Sequence, residues 1–492
     1  MNKVRVRFPP SPTGYLHIGG LRTALYNYCF AKQHGGTFIL RIEDTDRERY
    51  VEGGVEAIIT ALHRSHISYE EGPILKDGHL EQVGDFGPYV QSERLNLYKK
   101  YADDLLASGH AYHCFCTSEE LEALRTEQQL QKLPTKYNRK CLNLTKVEID
   151  ERLAKLTDGD DHVIRMHVPE GETVLEDIIR GKIVIKNNEL DDQVLMKSDG
   201  FPTYHLANVV DDHTMEVSHV IRGEEWISST PKHILLYQMF GWEAPQFAHL
   251  PLLLNADHSK LSKRQGDVAV EDYLDKGYLP EALLNFVALM GYNPKGDQEL
   301  YSLQELVDLF DLSKVNPSGA VVNFDKLKWM NEHYIRQKSA DELMELVKPF
   351  LDKAGKTIEP ELLKRVLDVE KQRLTTLADI VEHVDGYVQL ASYEPTLLVW
   401  KKADATDAKA NLTSLKELLE GLNESQFASM ANLEEAIKAH IAEKGLSNGN
   451  VLWPLRVSLS GSAESPGPFE LAWALGKDEV LRRIDTAIQK LG

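Results

Sequence analysis

Three prolines in four residues, Pro9-Pro10-Ser11-Pro12, follow directly on a short apolar–basic alternation, Val4-Arg5-Val6-Arg7-Phe8. Proline fixes φ and removes a backbone donor, so the stretch through Thr13-Gly14 cannot extend a ladder and must be a loop. The alternation before it reads as a strand. From Gly19 to His34 the residues Leu21, Leu25, Tyr28 and Cys29 recur at helical spacing, and Gly35-Gly36 is a natural stop. Thr37-Phe38-Ile39-Leu40-Arg41-Ile42 then reads as a buried strand. A strand–helix–strand unit favours a parallel sheet with its helix packed on one face. No Gly-x-Gly-x-x-Gly is present, which excludes the dinucleotide-binding version of that unit.

The chain has 492 residues, too many for one core, and predicts roughly three to five domains. After Tyr50 the pattern is mixed. A helix is expected over 97–106 and a polar stretch from His113-Cys114-Phe115-Cys116 to about Leu156. Strands are expected at 162–168 and 183–185, and a second strand–helix region over 203–240. From Glu271 onward the signal is nearly all helix, at 281–290, 303–310, 340–353, 359–381, 411–421 and 432–443, broken by Pro, Gly or Asn. The N-terminal half is thus expected to be α/β with an insertion, and the C-terminal half a set of helical modules.

A formal net charge of −20 argues against a protein that coats nucleic acid without specificity, but a local basic surface is still open to it. The first 50 residues run the other way, with 8 Lys or Arg against 4 Asp or Glu. That excess suits an anionic ligand or arises by chance. No run approaches the ~20 apolar residues a membrane helix needs. Met1–Arg7 lacks an apolar signal-peptide region, and the four cysteines at 29, 114, 116 and 141 make no disulfide framework, so a cytoplasmic protein is expected.

Two segments carry recognisable chemistry. Ser11-Pro12-Thr13-Gly14-Tyr15-Leu16-His17-Ile18-Gly19-Gly20 lies between a strand and a helix. Its small residues let a phosphate approach the backbone, the helix start favours negative charge, and His17 can donate to a phosphoryl oxygen. The plainer reading is a Pro/Gly turn with a capping His. Lys260-Leu261-Ser262-Lys263-Arg264 places three cations within five residues, which suits a triphosphate clamp or simply a solvated loop.

Taken as a pair, these two segments resemble the His-Ile-Gly-x and Lys-x-Ser-Lys-x signatures of class I aminoacyl-tRNA synthetases. Ser11-Pro12-Thr13-Gly14, Arg41-Ile42-Glu43-Asp44-Thr45-Asp46, Thr203–Asp212, Ile221-Arg222-Gly223-Glu224-Glu225 and Leu327-Lys328-Trp329-Met330-Asn331 are similar to the bacterial-type glutamyl-tRNA synthetase versions, in matching order along essentially the whole chain. The resemblance implies a class I Rossmann-like parallel-sheet catalytic domain (1–90 and 200–265). An α+β insertion for the acceptor end (91–199), a stem-contact region (266–330) and an all-helical anticodon-binding region (331–492) would complete it. It implies activation of L-glutamate with ATP and Mg²⁺ and transfer to the 3′ end of tRNA-Glu, or of both tRNA-Glu and tRNA-Gln, by a monomer.

By the same resemblance His17 and Lys263 are catalytic, and His17, Gly19, Gly20, Glu225, Lys260, Ser262 and Lys263 bind ATP. Arg7, Ser11, Glu43, Tyr204, Asn208 and Arg222 match the amino-acid pocket. Arg7 would meet the side-chain carboxylate and Glu43 the ammonium group, and arginine's fork suits carboxylate better than lysine does. Gly20 stands where the signature's name-giving second histidine would be, as is usual in glutamyl enzymes. Cys114, Cys116 and Cys141 match a zinc pattern, but its last position, a histidine, is Asn143 here. That leaves the fourth ligand open, with His113 a candidate. Arg373, within Gln372–Leu377, matches an element near the anticodon. Glutaminyl enzymes end in β-barrels and a tRNA-base-glutamylating paralogue lacks the helical half. A simple nucleotidylyltransferase needs neither, and an inactive scaffold would show damaged motifs.

Overall fold

Strand β1 (Arg5–Phe8), helix α1 (Ile18–Gln33) and strand β2 (Thr37–Leu40) form the expected opening unit. The two strands pair in parallel, with Val6 opposite Phe38, and every residue of both is buried. This computed structural model describes residues 3–157, 162–261, 269–294 and 296–492. The chain divides into two units, Met1–Leu274 with Leu283–Phe324 and Asp275–Ala282 with Asp325–Gly492.

In the first unit, helix α2 (Gly54–Arg64) and a hairpin of β3 (Gly72–Lys76) and β4 (His79–Val83) precede helix α3 (Leu95–Ala107). Strand β5 (Ala111–Cys114) leads into the stretch expected to be polar, for which no element was assigned. That stretch instead holds two helices, α4 (Ser118–Leu130) and α5 (Lys146–Leu153). Each begins with a capping box, Thr117 with Glu120 and Thr145 with Glu148, and neither buries a single residue. With no fully buried stripe there is little apolar period to read; the Thr-x-x-Glu spacing was the available signal.

Strand β6 (Val163–Met166), a hairpin of β7 (Glu172–Asp177) and β8 (Gly181–Lys186), and β9 (Val194–Met196) follow. β5, β6 and β9 make an antiparallel sheet. Helix α6 (Tyr204–Thr214), strand β10 (His219–Gly223), helix α7 (Thr230–Phe240) and strand β11 (Gln246–Leu250) rebuild the strand–helix alternation. Their sheet runs β10–β11–β7–β8, parallel except for β8, so the hairpin at 172–186 pairs with the strands that follow α6. Ser218 links this sheet to the opening one. Its N–H donates to the Arg5 carbonyl at 2.9 Å, and its Oγ accepts from the Arg5 N–H at 2.9 Å.

Beneath these strands lies a buried network of charges. Arg7 Nε donates to Asp212 Oδ1 at 3.0 Å, and Arg41 Nη1 donates to the same oxygen at 2.7 Å. Arg41 Nη2 donates to Glu43 Oε1 at 2.9 Å, and Arg94 Nε to Asp211 Oδ1 at 2.7 Å. Gln91 and Tyr98 complete the shell of Asp211 at 2.8 Å and 2.9 Å. Burial raises the Asp212 carboxyl, but Arg7 and Arg41 outweigh it and hold the group below the ordinary carboxylate range.

The second unit is helical, as its amphipathic pattern requires. Ala340–Lys353, Ala405–Gly421, Met430–Glu443, Asn448–Ser460 and Lys477–Lys490 are its longer helices outside the segment that opens it. The helix expected over 359–381 stops early: it spans Pro360–Glu370, and the chain then turns. Asp379 explains the break, because its Oδ2 accepts from the N–H groups of Thr375 and Thr376 at 2.8 Å each and gives the backbone an alternative to helix. Glu370, 1 % exposed, closes this turn. It receives Arg373 Nη1 at 3.0 Å, His383 Nδ1 at 2.8 Å and the Tyr387 hydroxyl at 2.8 Å.

Two consequences are measurable. Arg41→Met leaves Asp212 and Glu43 buried without their shared cation, and is expected to cost about 3–5 kcal/mol. Urea unfolding of the full chain reads this as a lower midpoint for the least stable transition, and an unchanged midpoint would contradict it. In the second unit, burial pushes Glu370 up, but His383, Tyr387 and Arg373 outweigh it and the net shift is downward. A carboxylate lowered in the folded state stabilises above the unfolded pKa of ~4.3 and loses that contribution as pH falls through the folded value. The stability difference between the natural chain and Glu370→Gln should therefore shrink below about pH 4; parallel curves of Tm against pH would refute this.

Candidate active site

The loop at the end of β1 delivers His17 to the N-terminus of α1. Its backbone is extended (φ −93°, ψ 162°) and its Nδ1 accepts from the Gly20 N–H at 3.2 Å. A backbone N–H only donates, so Nδ1 presents its lone pair and the neutral ring carries its proton on Nε2. The imidazole thus caps the helix with one nitrogen and keeps the other as a donor. A Cβ on Gly20 would lie 2.7 Å from Leu16 Cδ1, and one on Gly19 3.0 Å from the His17 ring. The position that departs from the two-histidine signature therefore has no room for a side chain while Leu16 stays in place.

His17 borders a cavity of about 990 Å³ at the carboxyl ends of β1 and β10, where open α/β sheets bind ligands. Arg7, Ser11, Gly19, Gly20, Glu43, Tyr204, Arg222, Glu225 and Lys260 also line it. The structure therefore gathers these sequence-derived candidates around one space. Asn208 does not line it but donates to Glu43 Oε1 at 3.4 Å, one contact behind the wall. Ser262 and Lys263 lie outside the described residues. The segments either side of them are placed: Lys260 bridges Leu254, and Ala269 bridges His17.

The charges in the wall differ in how they are held. Arg7 is fully buried and paired with Asp212, yet among the described residues its Nη1 has no hydrogen-bond partner. Burial raises the Glu43 carboxyl against the pull of Arg41, Arg7 being a further attraction. Arg222 donates to the Tyr204 hydroxyl at 2.8 Å and to Thr230 Oγ1 at 2.8 Å. It also reaches His249 Nε2 at 3.2 Å and His233 Nδ1 at 3.4 Å. Among the described residues no carboxylate lies within ion-pair distance of it. His233, His249 and Thr230 were not candidates from sequence; a histidine inside the otherwise apolar Phe247-Ala248-His249-Leu250 was the one available hint.

The Cys114, Cys116 and Cys141 ligand atoms lie within 4.8 Å of one another, all buried, and Cys116 also lines the cavity. The Cys116 and Cys141 sulfurs are 3.7 Å apart. The Tyr137 hydroxyl sits at 3.4 Å from both Cys114 Sγ and Cys116 Sγ and accepts the Cys141 N–H at 3.0 Å. Hydrogen bonding from Cys141 brings the Cys114 thiol down to about 4 against the effect of burial. His113 faces elsewhere, with Nδ1 at 2.9 Å from His162 Nε2. Arg373, in the second unit, is paired with Glu370.

Comparison with known proteins agrees with this geometry. Residues 3–329 match the model of the catalytic domain of "tRNA synthetases class I (E and Q)", and residues 342–488 match an anticodon binding domain. A glutamate–tRNA ligase of Alkaliphilus metalliredigens is 46% identical, covering 98% of both chains. One from Clostridium acetobutylicum is 46% identical over 100% of this chain and 99% of its own. A crystal structure of a glutamate tRNA ligase from Elizabethkingia meningosepticum in complex with its amino acid superposes with a TM-score of 0.88 at 37% identity, covering 100% of both chains. With matches of this extent across both units, the chain belongs to the class I (E and Q) tRNA synthetases.

Proposed function

We propose that the chain is a glutamate–tRNA ligase: it activates L-glutamate with ATP and transfers it to the 3′ end of tRNA-Glu. One observation carries the amino-acid choice. Two buried arginines, Arg7 with an unpartnered Nη1 and Arg222 with no carboxylate, line the same cavity as the helix terminus that His17 caps. An uncompensated buried cation is costly unless an anion arrives to meet it. Glutamate brings two carboxylates, and Glu43 supplies an anion for its ammonium group.

In the first step an α-carboxylate oxygen of glutamate attacks the α-phosphorus of ATP. The bond to the bridging oxygen breaks, and pyrophosphate leaves with its electrons. Charge grows on the α-phosphate oxygens, and the Nε2–H of His17 and the N-terminus of α1 stabilise it, with Lys260 and Lys263 from the basic segment. Gly19 and Gly20 let the phosphate approach the backbone, and Glu225 stands on the nucleotide side. Magnesium accompanies the ATP as its counter-ion. In the second step a terminal ribose hydroxyl of the tRNA attacks the activated carbonyl and AMP leaves. The second unit reads the anticodon, with Arg373 in reach of that surface once Glu370 has fixed it. The enzyme works as a monomer in the cytoplasm; no helix among the described residues is long and apolar enough to cross a membrane.

The thiol cluster suits structural zinc. Sulfur ligands on a tetrahedral zinc, with bonds of ~2.3 Å, stand about 3.8 Å apart, close to the 3.7 Å between Cys116 and Cys141. Cys114, Cys116 and Cys141 would hold the ion, and the Tyr137 oxygen, rather than His113 or Asn143, is the fourth donor facing them. Zinc there would hold the two segments flanking α4 together.

Three measurements test these statements. Charging assays with labelled glutamate and glutamine on tRNA-Glu and tRNA-Gln transcripts should show glutamate on tRNA-Glu. Glutamate on both tRNAs would make the enzyme non-discriminating, and no charging of either would overturn the assignment. Arg7→Ala should lower kcat/KM for glutamate by at least ~10² through loss of a charged hydrogen-bonding partner; a loss below about tenfold removes Arg7 from that role. Elemental analysis of purified protein should find about one zinc per chain, lost in Cys141→Ser. Metal-free protein of natural sequence that keeps its Tm would end the zinc reading.

A further inference from the structure

Four acceptor atoms surround Arg222, and all four are uncharged. Arginine N–H groups donate and never accept. His249 Nε2, 3.2 Å from Arg222 Nε, must therefore present a lone pair, so the His249 proton is on Nδ1, where Asp177 Oδ2 accepts it at 2.6 Å. His233 Nδ1, 3.4 Å from Arg222 Nη1, must likewise accept, which puts its proton on Nε2 toward His205 Nδ1 at 3.2 Å. The Tyr204 and Thr230 hydroxyl oxygens take the other two contacts, and Thr230 Oγ1 also lies 3.1 Å from His249 Nε2. Arg7, Arg41 and Arg94, by contrast, are each bound to a carboxylate.

We propose that His249 and His233 are positioning residues for recognition of a substrate carboxylate, and that Asp177 locks His249 in the tautomer this requires. The inference rests on the glutamate reading above and deepens it. A carboxylate in the place of either imidazole would fix Arg222 equally well, but it would neutralise the guanidinium and compete with the substrate. Neutral nitrogen lone pairs orient the fork and leave its charge intact. Four acceptors meet five N–H groups, and the fifth makes only a long shared contact, Arg222 Nη2 to His233 Nδ1 at 3.5 Å, which a ligand carboxylate can replace. Asp177 stands one imidazole away, and the Ile179 and Arg180 N–H groups hold its Oδ1 at 3.0 Å and 2.9 Å. Burial, together with the nearby Arg222 charge, lowers the pKa of both imidazoles and favours their neutral forms.

The test is steady-state aminoacylation by the full chain, with KM determined separately for glutamate and ATP. His249→Leu removes the acceptor and should raise KM for glutamate about tenfold or more, leaving KM for ATP within about twofold. His249→Gln, whose amide oxygen can accept from Arg222 Nε, should recover most of the loss. Asp177→Asn keeps an oxygen for the Ile179 and Arg180 N–H groups but turns an N–H toward His249 Nδ1. The ring then flips tautomer, opposes its own N–H to Arg222, and should raise KM for glutamate as well. If His249→Leu does not fold, Asp177→Asn decides. Glutamate KM within twofold of the natural enzyme in a folded variant, or glutamate and ATP KM rising together with no recovery in His249→Gln, overturns the inference alone. Natural enzyme that charges no glutamate overturns the glutamate reading and this inference with it.

Discussion

Two neighbouring carboxylates on one helix, Asp211 and Asp212, hold the first unit's charged interior together. Three arginines reach them from β1, from the end of β2 and from the turn before α3. With Glu43 the buried charges are matched three against three. Desolvating such ions is expensive, and geometry of this quality is what offsets the cost. The position of Arg7, the position of Glu43 and the distance between β1 and α6 all follow from that balance, so the cavity inherits its shape from an ion network placed behind it.

The cavity wall uses two ways of holding a cation. Arg7 is anchored by a carboxylate and offers only the nitrogen that the carboxylate does not reach. Arg222 is anchored by imidazoles and hydroxyls and keeps its full charge. Glu43, itself tied to Arg41, lines the same cavity, so the wall offers both signs, as a zwitterionic ligand with a second carboxylate requires. Each of these side chains is held by hydrogen bonds before a ligand arrives, and such pre-organisation makes electrostatic recognition effective.

Much of this was readable from sequence. The three prolines after Phe8 and the Gly35-Gly36 stop placed the opening unit, because both act through backbone geometry alone. The paired His17 and Lys260–Arg264 segments pointed to phosphate chemistry, and Arg7, Glu43, Tyr204 and Arg222 did come together around one cavity. What escaped was cooperative. Asp211 and Asp212 stood out only as the end of the Thr203–Asp212 segment, with no role of their own, and only the arginines arriving from distant strands give them one. His233 and His249 carry no local signature, since their role depends on which atoms of Arg222 face them. Helices α4 and α5 escaped for the opposite reason: neither buries a residue fully, so their apolar period is faint. The helix ending at Glu370 was overextended because helix periodicity does not see a side chain such as Asp379 competing for the backbone.

The Cys114–Cys141 knot has a consequence for how this chain can vary. Between Cys116 and Tyr137 the chain carries a helix that buries no residue, and its ends meet at three thiols and one phenol. A segment with so little buried surface answers more to loop entropy than to packing, and doubling such a loop costs only about 0.6 kcal/mol. Length and composition between the pins are therefore nearly free to drift, while the pins are not. An inserted sequence, or a labelled peptide grafted by design, should be accommodated here at little cost to the fold.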